Sequence, residues 1–255
     1  MEHITSRHNP LMGHIRRLAG SAAYRWETGE FLCDSPKLLQ EALLWQAEIT
    51  AVVTISPLPR LPEHIRQVQV PEDVMASISP VKTPQGVLFT CRLPQAPLPR
   101  SLTGRRYVLL DGVQDPGNVG TLLRSAAAFG FDGVLLSDGC ASVWAPKTLR
   151  ASMGAAVRIP VIEAGAMPQA VAQLRAKGIT CLAAALYQSQ PLSAAQPGCP
   201  GGVCVVIGSE GQGLTDETIA ACTSTVRIPM TDRVESLNAG IAGSILLWHF
   251  REESL

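Results

Sequence analysis

Five side chains with useful chemistry, Asn118, Arg124, Glu210, Ser236 and Asn238, stand in three polar loops, each leaving an apolar run. The loops are Asp111–Arg124 (DGVQDPGNVGTLLR), Ile207–Leu214 (IGSEGQGL) and Ile228–Asn238 (IPMTDRVESLN). An arginine offers a fixed fork of donors to a phosphate, and a carboxylate orients a donor or takes a proton. Carboxamides and a hydroxyl hold loop and substrate by hydrogen bonds. The C-terminal ends of strands are where open α/β sheets bind ligands, so the three loops together make one candidate polar site.

Each loop also has an ordinary reading. In the first, Pro116-Gly117 forces a turn, Asn118 can cap a helix beginning near Val119, and Gly120 permits close backbone approach. The N–H groups of that helix start attract an anion, and Arg124 lies four residues after Gly120 on the same face. The alternative is a capped helix with a solvent-exposed arginine. The loop is neither GxxxxGK[ST] nor GxGxxG, which argues against Walker-type and dinucleotide sites. The second loop has three glycines in six residues from Gly208 to Gly213, enough freedom to wrap a ligand. Glu210 there is either a helix-start carboxylate or part of a site. In the third, Ser236 or Asn238 can cap the following helix. Ala239, Gly240, Ala242, Gly243 and Ser244 make one surface of that helix small, suited to close packing against another subunit or a ligand loop.

The positioning elements alternate. Strands are expected at 107–110, 133–137, 157–161, 180–185, 203–207 and 225–228. Helices are expected at 119–129, 145–153, 168–177, 216–221 and 238–250. Fully apolar strands alternating with helices predict a parallel sheet covered on both faces. Before them, Leu93–Arg100 has three prolines in eight residues, a semi-rigid spacer. The N-terminal part reads as a small α/β domain, with helices at 9–23 and 35–47, strands at 51–55 and 87–90, and a weaker strand at 68–70. Ser35-Pro36 starts the second helix well. The expected division is 1–95, a linker at 96–103, and 104–255.

Composition limits the possibilities. Hydrophobic residues make up 46% and aromatics 5%, an Ala/Val/Leu/Ile core typical of α/β proteins. Lys plus Arg and Asp plus Glu are equal at 21 each, so affinity for a polyanion must come from a local patch. Arg7, Arg16, Arg17 and Arg25 supply one, with His3, His8 and His14 beside them and only Glu2 against. A solvated helix face is the plain alternative. Seven cysteines, including a close pair at Cys199 and Cys204, form no CxxC and no zinc spacing, and read as reduced thiols of a cytoplasmic protein. Met1–Arg17 has no apolar run of a signal peptide, and no stretch is long and apolar enough to span a bilayer.

The three loops resemble the three motifs of the SpoU (TrmH-like) family of RNA ribose 2′-O-methyltransferases, in the SPOUT superfamily. Asn118-Val-Gly120-Thr-Leu-Leu-Arg124 fits N-x-G-x-x-x-R, Gly208–Leu214 fits G-x-E-G-x-G-L, and Ile228-Pro229-Met230 with Ser236-Leu237-Asn238 fits the third. The intervening AAAFGFDGVLLSDGCASVWAPKTLRASMGA also looks like the family. Ala239-Gly240 replaces the usual Val-Ser, a departure that loses a hydroxyl. ITSRHNPLMGHIRRL and GEFLCDSPKLLQEAL resemble an L30e-like substrate-binding domain, although the family commonly reads FLVEG where this chain has FLCDS. The resemblance implies a SPOUT α/β domain with a deep trefoil knot, a homodimer, and RNA as partner, ribosomal RNA ahead of tRNA. It implies S-adenosylmethionine near Leu186, Gly208, Gly213, Ile228, Met230 and Leu237. No metal is implied, because the electrophile is already cationic and leaves as a neutral thioether. The resemblance casts Arg124 as the activating base. Because a guanidinium stays protonated, the role expected here is instead to grip the adjacent phosphate and stabilise the developing alkoxide. Glu210 would orient it or take the proton, with Asn118, Asn238 and Ser236 holding loop and substrate. A catalytically silent RNA-binding relative and a base methyltransferase are the alternatives; the intact polar residues weigh against the first and the motifs favour ribose over base.

Overall fold

A computed structural model describes residues 1–58, 61–94, 104–186, 188–195 and 201–252. The expected linker at 96–103 and Cys199 lie outside the described residues. The first elements are β1 (Glu2–His3), α1 (Pro10–Gly20), α2 (Ala22–Thr28), β2 (Glu30–Asp34), α3 (Pro36–Leu44), β3 (Ile49–Thr54), β4 (Arg66–Gln69), α4 (Glu72–Ile78) and β5 (Val87–Arg92). Then come β6 (Arg106–Asp111), α5 (Pro116–Ala128), β7 (Gly133–Leu136), α6 (Pro146–Ser152), β8 (Val161–Glu163), α7 (Met167–Ala176) and β9 (Thr180–Ala184). The chain ends with β10 (Gln190–Pro191), β11 (Val203–Gly208), α8 (Asp216–Ala221), β12 (Ser224–Arg227) and α9 (Ala239–His249). These elements form two compact units, one within Met1–Gln95 plus Ser142–Val157, the other within Ala96–Ala141 plus Arg158–Leu255.

The first unit is a five-stranded mixed sheet in the order β1-β4-β3-β5-β2. Met12, Ile15 and Leu18 of α1 and Val74, Met75 and Ile78 of α4 pack with Leu32, Val53, Val68 and Leu88 in one core. Side chains alternate along a strand, so Phe31 points the other way from Leu32, and its ring stacks on Trp144 at 4.8 Å. On the same unit Arg150 of α6 reaches Asp34 at 2.8 Å. Helix starts follow capping chemistry: Asn9 accepts from Leu11 N and Ser35 from Leu38 N, each with proline next. The expected single helix at 9–23 is two, because Ser21 leaves helical geometry to cap α2.

The second unit is a seven-stranded sheet, parallel throughout, in the order β10-β12-β9-β11-β6-β7-β8. Leu109, Cys181, Cys204 and Val206 face α7 and α8 in one apolar cluster with Met167, Val171 and Leu174. On the opposite face α9 lies against α5 and β11. A Cβ on Gly243 would overlap Leu122 Cδ2 and come within 2.6 Å of Ile207 Cδ1, so the absent side chain sets this distance of approach. The strand expected at 157–161 begins instead at Val161. Ala155–Val157 form a 3-10 turn, and Pro160, with no N–H to donate, enters pairing only through its carbonyl, which accepts from Val134 N.

Cys33, Cys91, Cys181, Cys204 and Cys222 are buried and unbridged. Burial pushes the thiols of Cys33, Cys91 and Cys204 up, and burial with the neighbouring Cys181 pushes Cys222 up to about 12. Above about pH 8.5 the unfolded chain ionises these thiols while the native core keeps them protonated. Their contribution is therefore complete below that pH and is lost above it. Urea midpoints in reducing buffer are expected to fall as the pH rises from about 8 to about 10; a flat profile contradicts the assignment.

Candidate active site

β11 and β6 pair in register from Val203↔Arg106 to Gly208↔Asp111. The first loop, from Gly112, and the second, from Ser209, therefore leave the sheet side by side. A Cβ on Gly112 would lie 3.7 Å from Ser209 Cβ. β9 and β12 end at a common level through Val226↔Ala184. Leu186, two residues past β9, and Ile228 and Met230, just past β12, follow those strand ends on the same edge. Among these Leu186 is 44% exposed, while Ile228, Met230, Leu237 and Gly208 are half-buried.

The first loop differs from its sequence reading in one residue. Asp115, not Asn118, caps the helix: its side chain accepts from Asn118 N at 2.9 Å, and Pro116 takes the first helical position. Asp-Pro is a strong N-cap and N1 pair, so the helix starts three residues before Val119. Asn118 is thereby inside the first turn, buried, with its carboxamide free to reach outward. Its Nδ2 donates to Glu210 Oε1 at 2.6 Å, joining the first loop to the second. A bond to a charged acceptor is the stronger kind.

The second loop closes on its own backbone. Ser209 N donates to Gly213 O at 3.1 Å, Gly213 N returns to Ser209 O at 3.0 Å, and Gln212 N donates to Ser209 Oγ at 3.2 Å. Gly213 has φ +68°, a left-handed conformation that favours glycine. A Cβ on Gly208 would overlap the Gly213 carbonyl and lie 2.5 Å from Leu214 N. Two of the glycines therefore shape the turn, and exposed Gly211, with open space around it, faces outward.

In the third loop Asn238 is the cap, accepting from Ile241 N at 3.2 Å, while Ser236 is exposed. The carboxamide oxygens of Asn118 and Asn238 stand 3.0 and 3.2 Å from where a Cβ on Gly240 would be. The structure thus brings Asn118, Glu210 and Asn238 around one point. Arg124 lies further along α5, exposed, and among the described residues neither Arg124 nor Ser236 is hydrogen-bonded to them. The small residues of α9 serve its own chain: Gly240 faces Asn118, Gly243 faces Leu122, and Ser244 Oγ is 2.8 Å from Ser125 Oγ. Its exposed face carries Ile241, Ile245 and Trp248.

The four N-terminal arginines separate. Arg7 pairs with Asp73 at 2.7 Å, whose carboxyl it holds below the usual range by hydrogen bonding; Arg16 donates to Arg7 O; Arg17 covers the Tyr24 ring at 3.6 Å. All three are exposed. Arg25 is not a surface contact as the sequence suggests: it is 4% exposed and donates to Leu18 O, and burial lowers its pKa. Charge counting along the chain cannot see that α2 turns this side chain inward.

The SpoU rRNA Methylase family model matches residues 105–248, which contain every loop of this site. The chain belongs to that family. It is 32% identical over 236 residues to the Bacillus subtilis 23S rRNA (guanosine(2553)-2′-O)-methyltransferase RlmP, covering 89% of this chain and 90% of that protein. It is 36% identical to the Xanthomonas campestris 23S rRNA (guanosine-2′-O-)-methyltransferase RlmB over 146 residues, 57% of this chain and 58% of that one. An AdoMet-bound rRNA methyltransferase from Sinorhizobium meliloti superposes with a TM-score of 0.87 at 28% identity, covering 98% and 97% of the two chains. The SpoU membership thus extends beyond the loops to the arrangement of the elements that carry them.

Gly208→Ala tests the closed turn. The obstructing atoms are backbone and cannot swing aside, so overpacking should cost about 2 kcal/mol and lower the melting temperature by about 4–8 °C. Thermal unfolding measures this; an unchanged melting temperature would mean the turn is not as described.

Proposed function

We propose that this chain transfers a methyl group from S-adenosylmethionine to a ribose 2′-hydroxyl of ribosomal RNA. The Asn118–Glu210 bond carries the reading, because it assembles two loops of a SpoU site at the ligand-binding edge of a parallel sheet. The B. subtilis relative's named reaction and the AdoMet in the S. meliloti structure support substrate and cofactor. The residues fit that cofactor: Leu186, Ile228, Met230 and Leu237 offer apolar surface beside the backbone of Gly208 and Gly213, the mixture a nucleoside with a thioether requires. Bound there, S-adenosylmethionine supplies a methyl group on a cationic sulfur.

The chain's own task is to place the hydroxyl and stabilise its charge. Arg124 cannot be the base, since a guanidinium stays protonated. Exposed and unpaired among the described residues, it grips the phosphate beside the acceptor ribose and stabilises the alkoxide. Glu210, fixed through Oε1 by Asn118, receives the hydroxyl proton at Oε2. Asn238 and Ser236 position substrate at the mouth of α9. Alignment of the two reactants supplies much of the remaining acceleration.

The same reading assigns RNA capture to residues 1–95, with exposed Arg7, Arg16 and Arg17 as phosphate contacts, and methyl transfer to 104–255, joined by the link at 96–103. It carries a trefoil knot in the second part, a cytoplasmic location with its substrate, and a homodimer. Ile241 and Trp248, each 54% exposed, and Ile245 lie along one face of α9, an apolar stripe for a second copy. Ile245→Glu should shift the protein to monomers in sedimentation; an unchanged mass argues against this face.

Cofactor and catalysis can be measured apart. Calorimetry should show binding of S-adenosylmethionine and S-adenosylhomocysteine in the micromolar range (roughly −8 kcal/mol) and none of NAD or ATP. Arg124→Ala should slow single-turnover transfer to ribosomal RNA by roughly 100-fold or more while leaving cofactor affinity near its original value. Arg124→Lys should restore little, since one ammonium cannot reproduce the fork. Lost cofactor affinity with a normal rate at saturation would place Arg124 on the wrong substrate.

A further inference from the structure

We propose that a groove at the start of α1 takes one unpaired, unstacked base of the RNA substrate. This deepens the reading of residues 1–95 as the RNA-capturing part and rests on it. The groove lies within the first unit, has a volume of about 430 Å³ and is lined by Asn9, Pro10, Leu11, His14 and Arg66. That volume suits a ligand of nucleotide size. Its lining is mixed: exposed Pro10 and half-buried Leu11 are apolar, while Arg66 stands at the start of β4.

Most of the polar groups in this lining are already bonded, and what is left selects the ligand. Pro10 has no N–H, Leu11 N donates to Asn9 Oδ1 at 2.9 Å, and Met12 N and Gly13 N donate to Asn9 O. The helix start therefore offers no free N–H to a phosphate. Both ring nitrogens of His14 are engaged, Nδ1 with the Tyr24 hydroxyl at 2.9 Å and Nε2 with Glu30 at 2.8 Å. Arg66 meets Glu2 Oε2 through Nε at 3.0 Å and Nη2 at 2.8 Å, which offsets its charge and fixes the plane of its guanidinium. A guanidinium plane is a platform on which a splayed-out base stacks. Asn9 Nδ2 and Arg66 Nη1 make no hydrogen bond among the described residues and remain to donate. A flat ring with acceptors on its edge satisfies this set. A base inside a duplex does not, because its edge is paired and its faces are covered. Arg7 stands two residues before Asn9, and Arg16 donates to its carbonyl, so the phosphates flanking the base have cations to meet.

Fluorescence anisotropy of the full-length protein tests this, with a labelled mixed-sequence RNA dodecamer either single-stranded or annealed to its complement. The single strand should bind about tenfold more tightly than the duplex. Arg66→Lys keeps the charge beside Glu2 and loses the plane. It should weaken single-strand binding about tenfold, leave duplex binding within about twofold, and leave the salt dependence of affinity as it was. Unchanged duplex binding also shows that the first unit is intact. Arg7→Ala should instead weaken both forms and lower the salt slope by about 1. A 4-thiouridine in the strand should photo-cross-link to Pro10 or Leu11. Full single-strand affinity in Arg66→Lys, equal losses for strand and duplex, or cross-links confined to other parts of the chain overturn the proposal. So does failure of the unaltered protein to bind the single strand. Methyl transfer is read separately: a protein that binds as described yet methylates no ribosomal RNA keeps the groove and loses the functional reading. Normal transfer with unaltered binding by Arg66→Lys does the reverse.

Discussion

Insertion of β11 between β9 and β6 sets the level at which every polar loop of the second unit leaves the sheet. Six residues pair along β6, ending with Gly208 opposite Asp111. A slip of one residue would turn Val206 and Cys204 from the α7 side to the α9 side and move Glu210 away from Asn118. Apolar registration of the strand interior therefore decides a polar contact at its end. The site has no separate scaffold: the alternation that buries the core also delivers the loops.

On that frame the contacts are made by small residues and short side chains. Gly208 lets the second loop close, and Gly243 brings α9 onto Ile207 and Leu122. Asp115 takes the capping duty and so releases Asn118 for Glu210. Charge enters sparingly, since one carboxylate stands among carboxamides and the arginine of the same helix is left toward solvent. The chain as a whole carries no net charge, so the electrostatics of the site rest on these few groups.

The sequence revealed most where period and punctuation agree. Fully apolar runs flanked by glycine and polar loops pointed to the parallel sheet, and α8 was legible to the residue because Thr215 and the acidic first turn mark its start. It was less legible where two local rules compete. Asn118 and Asp115 both suit a cap, and only the proline after Asp115 decides between them. Val157–Val161 looks β-like, yet Pro160 delays pairing. β2 carries no strand signal of its own, since Glu30–Asp34 is a short run with charged ends that becomes a strand through pairing with β5. The role of Ser209 depends on contacts that no local pattern encodes, and Arg25 shows the reverse, a local charge that the fold conceals.

The strand order also has a consequence for how the protein is born. β6 and β11, which form the centre of the sheet, are separated by about 97 residues of chain, so their ladder closes a long loop and forms late. During synthesis the edge of β6 emerges with β7 and β8 while its other partner is still being translated. For several seconds, at about 5–20 residues per second, an apolar strand edge stands without its neighbour. Such an edge invites pairing with other chains. Expression yield should therefore be more sensitive to the β6–β9 segment than its final stability alone would indicate, because that interval belongs to the growing chain and ends only when the last central strand arrives.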